Sequence, residues 1–266
     1  MSKILKASLV IIISFFLSLE LYATTGKDIM QTQKDRQKTK NEYSYEQMVL
    51  VNSDESKEVR QVIRKVKEVG NDLHKAIVTF LSPADIKGTA LLTWEQKDRD
   101  DDQWLYMPNL GKMQRIAKGS KKNYFMGTDF TYEDMTSEDI NNFNYTILRE
   151  ENKQGKDCWV IEATPVANYS KDTAYSKRIL WVSKDVYVTV QIEFYDRKGE
   201  LIKTQMSSDF KNIGGTIWRA EKTIMNNFKE KHKTLIKTIK IDASKNIDEE
   251  SFTERFILKG LHTELK

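Results

Sequence analysis

The sequence predicts a mainly β protein with a few helices, built by antiparallel pairing. Three observations carry this. From Tyr43 onward, short runs of β-branched and aromatic residues are punctuated about every 8 to 12 positions by turn residues, the rhythm of consecutive strands. Val186, Val188, Val190, Ile192 and Phe194 alternate with Tyr187, Thr189, Gln191, Glu193 and Tyr195, and Ala90, Leu92 and Trp94 alternate with Leu91, Thr93 and Glu95. Each is the period of a strand with one apolar and one mixed face. The gaps between runs are too short for crossover helices, which leaves antiparallel connection.

In chain order, Lys3 and Lys6 precede an apolar run from Ala7 to Leu19, and Leu21-Tyr22-Ala23 offers a small-residue cut before Thr24. This is the layout of a secretory signal peptide over residues 1–23. A run of thirteen residues falls short of the roughly 20 a membrane span needs; retention as an anchor is the alternative. The leader implies export, and a periplasmic address in a double-membrane bacterium. Lys27 to Lys40 is polar and rich in helix formers, with Ile29 and Met30 as a narrow contact stripe. About ten strands follow. Asp196-Arg197-Lys198-Gly199 and Asn212-Ile213-Gly214-Gly215 read as hairpin loops joining strands near Tyr195, from Leu201, from Ile217 to Asn226 and from Thr234 to Asp242. Asn123 to Asn142 breaks the rhythm. It is aromatic, acidic and irregular, and Thr131 with Asp134 and Thr136 with Asp139 give capping-box-like starts for short helical turns. No linker divides residues 24–266, which read as one domain.

Composition mainly excludes. With 43 basic and 39 acidic residues the chain carries a net +4, too little to imply a nucleic-acid partner. One Cys and three His supply neither a disulfide framework nor a usual zinc site. G-x-S-x-G, G-x-x-x-x-G-K-[ST] and G-x-G-x-x-G are all absent, so neither a nucleophile elbow nor a phosphate cradle is predicted. Cys158, in a strand that turns Trp159 and Ile161 one way and itself and Val160 the other, reads as a buried thiol. His74, His232 and His262 have no recognisable acidic partner. Asp98, Asp100, Asp101 and Asp102 read as a solvated hairpin tip, since they lack EF-hand spacing. No catalytic residue, metal or cofactor is expected.

The densest signal runs from Phe80 to Met135. Ser82-Pro83-Ala84-Asp85-Ile86-Lys87-Gly88-Thr89 comes first, then Gln103-Trp104-Leu105-Tyr106-Met107-Pro108 with Gly111-Lys112 and Arg115-Ile116, then Phe125-Met126-Gly127-Thr128-Asp129-Phe130-Thr131-Tyr132-Glu133-Asp134. Three blocks in this order, after a leader and before a long β meander, resemble the outer membrane lipoprotein-sorting (LolA-like) family. The resemblance implies a strongly curved antiparallel sheet forming an incomplete, half-open β-barrel covered by helices, LolA/LolB-like, with an apolar cavity for acyl chains. It implies a periplasmic lipid or lipoprotein carrier and chaperone, monomeric, working between inner-membrane machinery and an outer-membrane acceptor. The alternative is an accessory subunit docked on a resistance-nodulation-type transporter. Expected cavity residues are Trp94, Trp104, Tyr106, Met107, Met113, Phe125, Met126, Phe130, Trp181 and Phe194. Arg115 is a headgroup contact, or else a surface cation or a partner of Asp129 or Asp134. Burial of an acyl chain at about 0.8 kcal/mol per CH₂ supplies on the order of 10 kcal/mol for a long tail.

Overall fold

In the computed structural model, residues 24–264 are described; the expected leader and its cut after Ala23 lie outside them. A short helix α1 (Gly26–Arg36) opens the chain. Thr25 caps it through the reciprocal pair with Asp28, satisfying two otherwise free backbone donors. Its Ile29 and Met30 are buried, as their stripe predicts.

Thirteen strands follow in one antiparallel sheet of order β6-β5-β4-β3-β2-β1-β13-β12-β11-β10-β9-β8-β7. The first group is β1 (Asn41–Val51), β2 (Lys57–Gly70), β3 (Leu73–Ser82), β4 (Ala90–Trp94), β5 (Asp102–Met107) and β6 (Lys112–Arg115). The second is β7 (Phe143–Lys153), β8 (Lys156–Pro165), β9 (Lys177–Ser183), β10 (Thr189–Tyr195), β11 (Leu201–Gly214), β12 (Ile217–Asn227) and β13 (His232–Asp242). The chain thus starts at the centre of the sheet, walks to one edge, crosses to the other edge and walks back until β13 pairs with β1. The edges β6 and β7 do not pair, so the barrel stays open. Thirteen strands exceed the ten or so legible in sequence; β6, for example, is four mostly exposed residues with no apolar face to announce it.

The crossing segment, residues 116–142, bridges the two free edges and defines an inner face of the sheet. It contains 3₁₀ turns at Lys118–Lys122 and Ile140–Asn142. The expected Thr131/Asp134 box forms, with Asp134 N–H donating to Thr131 Oγ1 at 3.2 Å and Thr131 N–H to Asp134 Oδ2 at 2.7 Å. It closes a turn. The second expected start shifts: Asp139 itself caps Ile140–Asn142, while the Thr136 hydroxyl donates back to the Glu133 carbonyl.

Two strand expectations change. β10 begins at Thr189, whereas Val186 to Val188 form a turn with Tyr187 at φ 53°. Val186 and Val188 pack beside Val160 and Trp181 without joining a ladder, so their alternation reflects burial, not pairing. β4 keeps its mixed face of Leu91 and Thr93, but both of its faces are buried. Leu91 joins an inner cluster with Val62, Val78, Phe80, Leu105 and Phe125. Leu92 joins an outer cluster with Ile63, Ile77 and Tyr106, sealed by Ile247, Phe252 and Ile257 of the C-terminal segment. That segment holds a 3₁₀ turn at Glu249–Phe252 and helix α2 (Glu254–Leu258). On the other half of the sheet, α1 packs on the inner face over Ile161, Ala163, Leu180 and Val182. It comes so near β7 that a Cβ at Gly26 would stand 2.9 Å from the Tyr145 carbonyl oxygen, which only glycine tolerates. Cys158 and Val160 occupy the opposite, outer face, as the alternation in β8 predicts.

Candidate ligand-binding site

Residues 123–135 are held against the inner face by polar contacts from strands far away in sequence. Lys203 of β11, 1% exposed, reaches Asp134 at 2.5 Å and the Asp129 carbonyl at 3.1 Å. Its ammonium also lies 4.8 Å from the Phe194 ring centroid and 5.1 Å from that of Tyr175, a cage that favours a cation. Asp129 takes hydrogen bonds from Thr234 at 2.7 Å and contacts His232 Nδ1 at 2.7 Å. Gln103 donates to the Tyr132 carbonyl at 3.0 Å, and Arg60 to that of Met126 at 2.6 Å.

Two cavities remain beneath this cover, meeting at Asp134, Thr136 and Gln205. The smaller, about 330 Å³, is walled by Met48, Val62, Val78, Phe125, Phe130, Met135, Ala220 and Ile236, with Glu42, Glu46, Arg64 and Arg219 along one side. Burial raises the Glu46 carboxyl above its usual range, against a 2.6 Å hydrogen bond from Ser44. The larger, about 520 Å³, is charged. Carboxylates including Asp98, Asp100, Asp101, Glu133, Glu138 and Asp172 outnumber Lys97, Arg99, Lys118, Lys121 and Arg178. Arg178 donates to Glu138, and its guanidinium lies 4.4 Å from the Phe143 ring centroid; its buried Nε has no partner. Burial raises Glu133, which still accepts from Thr173 and from the Ala174 N–H. Burial also pushes Asp101 up to about 6 and lowers Lys121. Both volumes fall in or near the range of small-molecule sites. The interior therefore joins an apolar-walled compartment to a charged one, where the sequence suggests an apolar cavity throughout.

The structure divides the ten expected contacts between two faces. Phe125 and Phe130 line the smaller cavity and Phe194 the larger. Met107 and Met126 pack against the inner cluster. Trp94, Trp104, Tyr106 and Met113 belong to the outer cluster under the C-terminal segment, where Trp94 Nε1 donates to the Phe252 carbonyl at 2.9 Å. Trp181 is on the outer face with Cys158. Arg115 lies outside both cavities on edge strand β6, paired with Asp102 and not with Asp129 or Asp134.

Other polar expectations are corrected likewise. Asp102 is no solvated tip residue: it opens β5, is 5% exposed, and the guanidinium groups of Arg99 and Arg115 hold its carboxyl down at about 2. His74 and His232 do have acidic partners, Glu95 at 3.0 Å and Asp129 at 2.7 Å. His262 is buried and contacts the Gly88 carbonyl. Among the described residues no group of three or more His, Cys, Asp or Glu could hold a metal ion. Met135, an adaptable methionine of the densest stretch of the sequence, lines the smaller cavity; Met48 and Ile236 line it too without having been singled out in sequence, since they carry only the alternation that every buried strand residue shares.

An open antiparallel sheet with its edges bridged by a covering segment and a ligand-sized space beneath is the architecture of LolA-like carriers. A profile described only as that of an uncharacterized protein family matches residues 72–259. A solved domain from Vibrio parahaemolyticus, described as an outer membrane lipoprotein-sorting protein domain, is 32% identical over 88% of this chain and 98% of its own, with TM-score 0.83. A DUF1329 family protein from Desulfovibrio piger is 27% identical, covering 87% of this chain and 97% of its own at TM-score 0.82. A LolA superfamily protein from Nitrosomonas europaea shares the fold at 21% identity, 88% and 100% coverage, and TM-score 0.68. No curated protein matches the chain. The chain belongs to the outer membrane lipoprotein-sorting, LolA-like family.

Proposed function

We propose that this protein is a periplasmic carrier that takes up a lipid, or the acyl chains of a lipoprotein, between the sheet and residues 123–135. It would carry this cargo from inner-membrane machinery to an acceptor at the outer membrane. The observation that supports this most is the cavity of about 330 Å³ under a pinned cover, with one side built by Met48, Val62, Val78, Phe125, Phe130, Met135 and Ile236, in a chain of this family. Phe125, Phe130, Met48, Met135 and Ile236 would contact the acyl chain, and the adjoining charged space would take the polar end of the same amphiphile. Binding and release need no bond-making step, so no catalytic residue is invoked.

Lipid extraction and native mass spectrometry of protein purified from the periplasm should recover an acyl-containing ligand, and a fluorescent fatty acid should bind the emptied protein. Thr223→Trp, which puts an indole into the smaller cavity beside Ile236, should weaken that binding at least about tenfold, the equivalent of two displaced CH₂ groups. Absence of any acyl ligand, together with no probe binding, would overturn the reading.

A further inference from the structure

The C-terminal segment covers the outer face of β1 and β2 at Tyr43, Tyr45 and Ile63; farther along these strands and across β13, β12 and β11, the cross-strand rows of the outer face are set by register. The pairings Val59↔Val49, Val49↔Leu235, Leu235↔Ile224 and Ile224↔Met206 set one apolar side chain on each of five adjacent strands. At the usual strand spacing this row is about 20 Å long. Val59 is 49% exposed and Met206 37%; the three between them are half-buried. The parallel row on one side carries Lys57 and Lys233, aligned through Val51. The row on the other side carries Lys237 opposite Lys222. Lys222 is paired with Asp209 at 2.6 Å. Lys57, Lys233 and Lys237 are exposed and have no ion pair among the described residues.

We propose that this face docks on an anionic phospholipid bilayer, with the lysine rows at the headgroups and the aliphatic row pressed into the interface. Charge complementarity selects the occupant. A second copy of the chain would bring lysine row against lysine row, and like charges across an interface are costly. Protein interfaces are enriched in aromatic residues and Arg and depleted in Lys, whereas the central row here has no aromatic residue and each flanking row carries two lysines. Each lysine near an anionic membrane contributes about a fivefold gain in partitioning. The face lies opposite the covered cavities, so docking leaves the inner space free.

Co-sedimentation of the mature chain with vesicles tests this. The wild type should bind equimolar phosphatidylglycerol–phosphatidylcholine vesicles, bind phosphatidylcholine alone far less, and be released by salt. The triple variant Lys57→Gln, Lys233→Gln, Lys237→Gln should lose roughly 100-fold in binding to the anionic vesicles, with melting temperature and fatty-acid probe binding unchanged. Leu235→Ser should weaken vesicle binding without altering its salt dependence. Thr223→Trp, with its cavity occupied, should bind vesicles like the wild type, which separates surface docking from lipid uptake. Equal binding to both vesicle types, or wild-type binding by the triple variant, would overturn the proposal. So would a wild-type dimer in sedimentation equilibrium that the triple variant dissolves, or a triple variant that keeps vesicle binding while losing capture of a membrane protein.

Discussion

The pin between Lys203 and Asp134 offers a sharp test of how the cover is held. Lys203 is 1% exposed and Asp134 7%, so neither charge has solvent to fall back on. Lys203→Met keeps the stem volume and the packing on Tyr175 and Phe194 but removes the cation. Asp134 then retains only the Tyr175 hydroxyl, at 2.9 Å, and the Thr131 N–H, at 2.7 Å. Removing one partner of a buried pair typically costs about 3 to 5 kcal/mol, because the remaining charge is left uncompensated. For a domain of this size that corresponds to a fall in Tm of roughly 10 °C. The double variant Lys203→Met, Asp134→Asn carries no orphan charge and should recover part of the loss, with Asn still accepting from Tyr175 and Thr131. Urea unfolding of the two single variants, the double variant and the wild type yields the coupling energy. A cost of less than about 1 kcal/mol for Lys203→Met, the range of an exposed pair, or two losses that simply add, would refute a buried pin.

Three further outcomes are expected. Asp101 has its folded-state pKa raised to about 6 by burial, so its ionisation opposes folding above that pH. Asp101→Asn should therefore stabilise the protein at pH 7 by about 1 to 2 kcal/mol once solvent screening is allowed for. The gain should disappear as pH falls from 6 toward 3.8, the ordinary value of an aspartate, a window that denaturant titrations across pH will show. Phe252 is fully buried in the outer cluster, and Phe252→Ala should cost about 3 to 5 kcal/mol by calorimetry; a loss below about 1 kcal/mol would mean the C-terminal segment is not part of the cooperative fold. Cys158 is buried and its thiol is pushed up by that burial, so it should resist an aromatic disulfide reagent in the native protein and react promptly in denaturant.

The meander from Leu201 to Asp242 was legible because its β-branched runs are broken by short loops, and the loops before and after β11 carry glycine, as with Gly199 at φ 82°. The covering segment was legible by default, as a stretch with neither period. The site was half legible. Trp94, Trp104 and Trp181 carry the same large apolar signal as Phe125, Phe130 and Phe194, yet the first three pack on the outer face. Burial demands bulk on both faces of this sheet, so side-chain size cannot tell them apart. The lysine rows were equally hidden. Lys57, Lys233 and Lys237 are scattered in sequence and meet only through strand register.

The sequence by itself determined the strand periodicity, the antiparallel connections, the family blocks, the alternation around Cys158 and the want of catalytic motifs, because all of these are local. Tertiary structure alone decided which face of each strand turns inward, since a period of two residues defines two faces without naming either. It also decided the partners of the charged groups: His232 meets Asp129 across 103 positions and Lys203 meets Asp134 across 69. Those pairs arise where the chain crosses the open side of the sheet between its two unpaired edges. That crossing creates the interior space and divides it into an apolar-walled and a charged part.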